Sequence, residues 1–175
     1  MDYPREVETE RLTLRPASAE DADALFPLFS DPAGWWYDPA GRHADRDRTR
    51  RYLARAAERW SEGLSYWTVR ERAASRVIGF GGAQRHASGA WNLNYRIATE
   101  AQGRGYATEL ARAAQAAAAH VDPTVPVIAW VAADNLPSRR VAERLGLTDQ
   151  GPHLDASDAT TRLAYADRPL DGFLT

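Results

Sequence analysis

Leu12 and Leu14 alternate with polar neighbours in RLTLRP, residues 11–16, and predict a first strand that Pro16 ends. The period then changes. Over residues 18–31, Leu25, Leu28 and Phe29 form one apolar stripe behind a Ser18 cap and an acidic first turn, although Pro27 weakens the later part of this helix. Residues 32–43, PAGWWYDPAGRH, read as a turn-rich loop carrying Trp35, Trp36 and Tyr37 side by side. A second helix covers 45–63, capped by an Asp and closed by Gly63. SYWTVRE (65–71) and RVIGFGGAQRH (76–86) are strands, and ASGA turns the chain into WNLNYRIA (91–98) as a hairpin. An alanine-rich helix, 106–120, stops near Pro123. VPVIAWVAAD (125–134) is nearly all apolar, as a strand buried on both faces should be. LPSRRVAERLGL (136–147) is a short helix ended by Gly146, and DATTRLAYAD (158–167) a last strand, with one more short strand expected near Thr148–Gly151. The reading is a mixed α/β fold of about six or seven strands and about four helices in one domain, residues 1–175, with no repeat or internal linker.

Composition narrows the chemistry. A net charge of −2 gives no basic field, so nucleic acid is not an expected partner. The chain has no cysteine, which removes disulfides, thiol nucleophiles and thiolate metal sites, and no metal is expected. The start lacks a basic segment followed by an apolar run, and no stretch reaches the ~20 apolar residues of a membrane span, so a cytoplasmic location without membrane attachment is expected. No lysine occurs among the basic residues, which we read together with the abundant alanine as genome composition.

The candidate chemistry lies in EAQGRGYATEL, residues 100–110, where the chain leaves a strand and enters a helix. Glycine costs roughly 0.8–1 kcal/mol against alanine in a helix, yet two stand at its start. A helix N-terminus offers unpaired N–H groups and the positive end of its dipole. Gly103 and Gly105 clear a path for an oxyanion to reach them, and Arg104 adds charge, so QGRGYA reads as a pyrophosphate cradle. A tight turn without a ligand is the alternative. The loop is neither a Walker A sequence nor a Rossmann fingerprint. After the next strand, Asn135 and Ser138 open a second helix beside the cradle.

These patches resemble the GNAT acetyltransferase superfamily. Gln102, Gly105 and Ala107 fit its Gln/Arg-x-x-Gly-x-Gly/Ala signature. Asn135, Ser138, Val141, Glu143, Gly146 and Leu147 fit its second motif, with Leu147 in place of the usual Phe. The opening TERLTLRPASAEDADALF is similar to the RimJ/RimL-like branch, and the likeness runs from about Glu10 to Tyr165. It implies acetyl-CoA as co-substrate, with its pyrophosphate on the amides of Gln102, Gly103, Arg104, Gly105, Tyr106, Ala107 and Thr108. The pantetheine arm would lie along NYRIA like an added strand, bonded to backbone near Ile97 and Ala98, with the sheet splayed to admit it and Asn135 on its other side.

Acetyl transfer to an amine needs a proton acceptor, an oxyanion donor (here a backbone N–H near Ile97) and help for the departing thiolate. Many relatives supply that help with a tyrosine whose position here is Ala142; Ser138 is the nearest replacement, unless it only caps the helix. The relatives' glutamate base is replaced by Asn92. His86 is the candidate base, with Asp38, Asp45 and Glu100 behind it and a water-mediated route as default. Trp35, Trp36, Tyr37 and Trp91 are the candidate acceptor wall, unless the aromatics only fill the core; His153 and Asp155 mark a second approach. The arginines of the second helix, Arg48, Arg51, Arg55 and Arg59, read as a solvated face paired with acidic neighbours. The expected activity is direct acetyl transfer to a primary amine on a protein N-terminus or a small molecule, an antibiotic or toxin included. A non-catalytic acyl-CoA sensor is the rival, and a homodimer is the assembly allowed for.

Overall fold

The computed structural model describes residues 3–155, 158–171 and 173. Among the described residues eight strands form one sheet, β1 (Val7–Glu8), β2 (Leu12–Pro16), β3 (Tyr66–Glu71), β4 (Val77–Arg85), β5 (Trp91–Ile97), β6 (Val127–Val131), β7 (Thr148–Asp155) and β8 (Thr160–Ala166), ordered β1-β2-β3-β4-β5-β6-β8-β7. Every neighbouring pair is antiparallel except β5–β6, where the chain crosses over through a helix. The helices are α1 (Ala22–Ser30), α2 (Arg46–Glu58), α3 (Tyr106–Val121) and α4 (Leu136–Arg144).

Each expected strand forms, with differences at the ends of the sheet. β1 was not expected, and β7 runs to Asp155 rather than Gly151. Gly151 and Pro152 sit where the β7–β8 register shifts, and β7 is an edge strand, where a proline can leave no ladder bond unmade. β6 is shorter than its apolar run because the chain turns at Ala132 toward α4. Pro27 stays inside α1. Ser18 opens a 3-10 turn ahead of that helix, its N–H donating to Asp21 Oδ2 at 3.0 Å. α2 ends through a similar turn at Gly63, as its sequence predicts.

Alternation along β5 sets what lies on either side of the sheet. Trp91, Leu93 and Ile97 join Leu12, Leu14, Trp67, Leu110 and the alanines 114, 117 and 118 in the core beneath α3. Alanine at these helix positions lets α3 sit close to the sheet. On the opposite face Phe80 and Tyr66 pack with Leu25, Phe29 and Leu53 of α1 and α2. The even-numbered β5 residues, Asn92, Asn94 and Arg96, belong to that second face.

β5 and β6 pair only at Trp91↔Val127 and Asn92↔Ile128 and then diverge. The Ala98 N–H donates to Ile78 O at 2.8 Å, so the even β5 amides serve β4. Those of Leu93, Tyr95 and Ile97 therefore face the gap that opens beside β6.

Candidate active site

One cleft of about 480 Å³ follows this gap. Its floor is β5 from Leu93 to Ile97, one end is the loop and first turn of α3 with Gln102, Gly103 and Gly105 to Thr108, and one wall is α4 with Asn135 and Ser138. The loop after α1, with Asp31, Gly34, Trp36 and Tyr37, closes the other side.

The cradle is built by backbone handedness. Gly103 and Gly105 have φ of +76° and +83° and turn the chain sharply into α3, which Gly105 caps. The amides that open the helix have no carbonyl within it to bond, and the dipole adds to their attraction for an anion. Arg11 holds the loop from behind, donating Nη1 to Arg104 O at 2.8 Å while Nε and Nη2 reach Glu109 Oε2, each at 2.7 Å. The Arg104 side chain is exposed and does not line the cleft. Gln102 turns inward, its Nε2 donating to Ile97 O at 3.0 Å. The Ala98 N–H is not open to a ligand, because Ile78 O holds it; the amides of Ile97 and Tyr95 face the gap instead.

Ser138 is not the helix cap. Asn135 is, with its Oδ1 accepting from the Ser138 N–H at 3.2 Å. The Ser138 hydroxyl is thereby released, and its Oγ donates to the Tyr95 hydroxyl at 3.0 Å; that hydroxyl in turn donates to Ser138 O at 3.2 Å. Tyr95 lines the cleft beside it, and burial pushes its phenol up to about 12. Ala142 is wholly buried below. Tyr95 was missed in the sequence: alternation puts it on the face of Leu93 and Ile97, and only the divergence of β5 from β6 brings it opposite α4.

His86 stands outside the cleft. Its Nε2 meets Asp155 Oδ1 at 2.8 Å, both side chains only 5% exposed, and its Nδ1 accepts from the Ser88 N–H at 3.1 Å. With both nitrogens engaged it has none to offer an amine. Its ring packs 5.5 Å from Trp130, which does line the cleft. Asp38 accepts from the Gly41 N–H as the cap of a short turn, Asp45 accepts from the Arg48 N–H as the cap of α2, and Glu100 is exposed. The second approach also closes: Asp155 is buried, with Arg162 Nη1 at 2.7 Å from its Oδ2, and His153 bonds Gln150 O.

The aromatic wall divides. Trp36 and Tyr37 line the cleft and Trp36 is half exposed, whereas Trp35 packs against the α1–α2 core. Trp91 is wholly buried beneath α3, on the face of Leu93 and Ile97, with the Arg85 guanidinium 4.2 Å from its ring. Arg96 organises the loop: its guanidinium lies 3.6 Å over Trp35, donates to Gly34 O at 2.9 Å and donates to the Tyr37 hydroxyl at 2.6 Å. Thr99 adds a second tie, donating to Asp31 Oδ2 at 2.5 Å. Arg48, Arg51 and Arg55 of α2 are exposed, as expected, with Arg48 also binding the carbonyls of Ala40, Gly41 and Arg42, whereas Arg59, just past the end of α2, is partly buried and binds Gln84 and Arg85 O.

Solved structures share this architecture. An acetyltransferase from Agrobacterium tumefaciens str. C58 superimposes with a TM-score of 0.77 at 25% identity, over 97% of this chain and 96% of its own. RimL, the ribosomal L7/L12 alpha-N-protein acetyltransferase in complex with coenzyme A, gives 0.75 at 19% identity, over 95% of this chain and 99% of its own. The microcin C7 self-immunity acetyltransferase MccE, in complex with acetyl-CoA and AMP, gives 0.72 at 14% identity, over 94% and 96%. No curated protein sequence matches the chain. The acetyltransferase (GNAT) domain profile matches residues 11–148, so the chain belongs to that family, whose activity is acetyl-CoA-dependent N-acetyl transfer.

Proposed function

We propose that this chain transfers an acetyl group from acetyl-CoA directly to a primary amine on a peptide N-terminus or a small molecule, both substrates sharing the cleft. The observation that carries this reading is the continuity of cradle, splayed β5 edge, Ser138 and aromatic loop along one opening. The amides of Gly103 and of Gly105 to Thr108 would hold the pyrophosphate, and the free edge of β5 the pantetheine arm. When bound, acetyl-CoA supplies an activated thioester. The Ile97 N–H would donate to the acetyl oxygen as negative charge grows there. Trp36 and Tyr37 would orient the amine, and its proton passes to solvent, since His86, Asp38 and Asp45 are committed elsewhere.

The test is an acceptor screen with acetyl-CoA, including N-terminal peptides and antibiotic-like amines, read by thiol release and by mass spectrometry of the product. Turnover on one class assigns it. Binding of acetyl-CoA without turnover on any acceptor would leave the sensor reading in its place. On an accepted amine, Trp36→Ala should raise the acceptor KM several-fold and leave acetyl-CoA affinity unchanged.

A further inference from the structure

Where relatives carry a tyrosine on the helix of the second motif, this chain has the methyl group of Ala142, fully buried. A phenol nevertheless reaches α4 from the opposite wall, at Ser138, one turn before Ala142. Tyr95 comes from β5, across the gap from α4, and shares two hydrogen bonds with Ser138: Oγ donates to the Tyr95 hydroxyl at 3.0 Å, and that hydroxyl donates to Ser138 O at 3.2 Å. Both residues line the cleft where the β5 edge meets the start of α4. Asn135 satisfies the Ser138 N–H, so the serine hydroxyl is free of helix duty.

The geometry points to Tyr95 as the positioning residue of the leaving-group site, holding Ser138 Oγ so that the two hydroxyls form a donor chain that can reverse direction. The inference rests on the acetyl-CoA reading above. In the arrangement seen, the chain runs Ser138 to Tyr95 to carbonyl. When the carbon–sulfur bond breaks, its electron pair stays on sulfur. The Ser138 O–H then turns toward that charge, and the Tyr95 O–H swings from Ser138 O to Ser138 Oγ, a shift between two acceptors on one residue. No covalent bond to hydrogen breaks, so neither hydroxyl needs reprotonation between turnovers. A phenol held near 12 stays protonated throughout the working range and remains a donor. Hydrogen bonds in series strengthen one another, and a bond to an anion is stronger than one between neutral groups.

The experiment titrates the thiol of coenzyme A bound to the protein, following thiolate by its ultraviolet absorbance, and needs no acceptor. In the parent protein the bound thiol should titrate below free coenzyme A. Tyr95→Phe, which keeps the ring, should lower the thiolate fraction at fixed pH by about tenfold, one pKa unit. Ser138→Ala should lower it at least as far, and adding Tyr95→Phe to Ser138→Ala should change nothing more. Replacing Tyr95 by 3-fluorotyrosine, a stronger donor of nearly the same shape, should move the thiol pKa the other way. Calorimetry and melting curves establish that each variant folds and binds. A Tyr95→Phe protein that binds coenzyme A with an unshifted thiol overturns the proposal, as does an equal tyrosine effect without Ser138. If the parent protein does not bind coenzyme A, the acetyl-CoA reading itself falls and the proposal with it.

Discussion

Gly105 shows how one position serves two demands. From the sequence it reads as clearance for a phosphate, and the structure adds that its φ of +83° favours a residue without Cβ. A side chain there costs about 1–2 kcal/mol in backbone energy alone. Its Cβ would also stand 3.3 Å from Arg11 Nη2, pressing on the arginine that holds the loop. Gly105→Val is therefore expected to weaken acetyl-CoA binding at least tenfold and to lower the melting temperature by about 2–4 °C for each kcal/mol of strain. Calorimetry and a melting curve decide it: a folded variant that binds like the parent would falsify the cradle assignment. Tryptophan 91 and histidine 86 teach the opposite lesson. Residue type nominated both for the site, but Trp91 lies on the α3 face of β5 at the point where β5 and β6 are still paired, so it is buried in the core, whereas Leu93, Tyr95 and Ile97 of the same parity reach the cleft beyond it. His86 was no more legible, because its partner Asp155 is 69 positions away.

Among the strands and helices, those with long periodic runs were legible, and so was the second motif, whose spacing marks the start of α4. The β5–β6 divergence entered only through family resemblance, since nothing in the apolar run 125–134 says where pairing stops. β7 was obscured by Gly151 and Pro152, which read as a turn until the sheet order makes the strand an edge. The tie between β2 and α3 was also invisible, as it joins residues about 100 apart. Glu109 accepts from Thr9 Oγ1 at 2.6 Å, from the Arg11 N–H at 2.8 Å and from the Arg11 guanidinium. Burial acts to raise its carboxyl pKa, but the hydrogen bonds from Thr9 and Arg11 outweigh this and hold it below the ordinary 4.5. A folded value lower than the unfolded one means stability that is present above about 4.5 and lost as pH falls through the lower value. Glu109→Gln should cost about 1–3 kcal/mol at neutral pH and flatten the loss of stability in acid. Denaturant curves from pH 3 to 7, a range chosen to bracket carboxylate titration, measure both. An unchanged acid slope would show that the carboxylate contributes nothing to folding. Because Arg11 also holds Arg104 O, acetyl-CoA affinity should fall in the same variant.

The two halves of the sheet are covered by different means, and this governs how the acceptor side keeps its shape. α1 and α2 cover β3 and β4 with a packed apolar layer. Beside β6 the β7–β8 hairpin is held by polar groups: Asp155 bonds His86 at 2.8 Å and Arg162 at 2.7 Å, and Arg162 also bonds Asp158. The Asp158 bond raises the pKa of Arg162 against the opposing effect of burial, and the charges of Asp158 and Asp155 add to it. His86 in turn supports Trp130, which lines the cleft. Asp155→Asn keeps the shape of the side chain and removes the charge that faces both partners, leaving the partly exposed Arg162 with Asp158 as its remaining carboxylate. The loss should be about 1–3 kcal/mol, that of weakening hydrogen bonds at a buried acceptor, since Arg162 is partly exposed and keeps Asp158. We expect faster amide exchange along residues 148–166, a lower melting temperature and a several-fold higher KM for the acceptor. Acetyl-CoA affinity should change less than acceptor KM, because Gly105 and the β5 edge lie outside the hairpin and α4, which carries Ser138, keeps its own tie to β8 through Arg139 Nε donating to the Tyr165 hydroxyl at 3.0 Å. A variant with the exchange pattern and acceptor KM of the parent would show that apolar packing around Ala164 and Ile128 fixes the hairpin unaided. A fall in acetyl-CoA affinity equal to that in acceptor use would instead show the two halves of the cleft to be one mechanical unit.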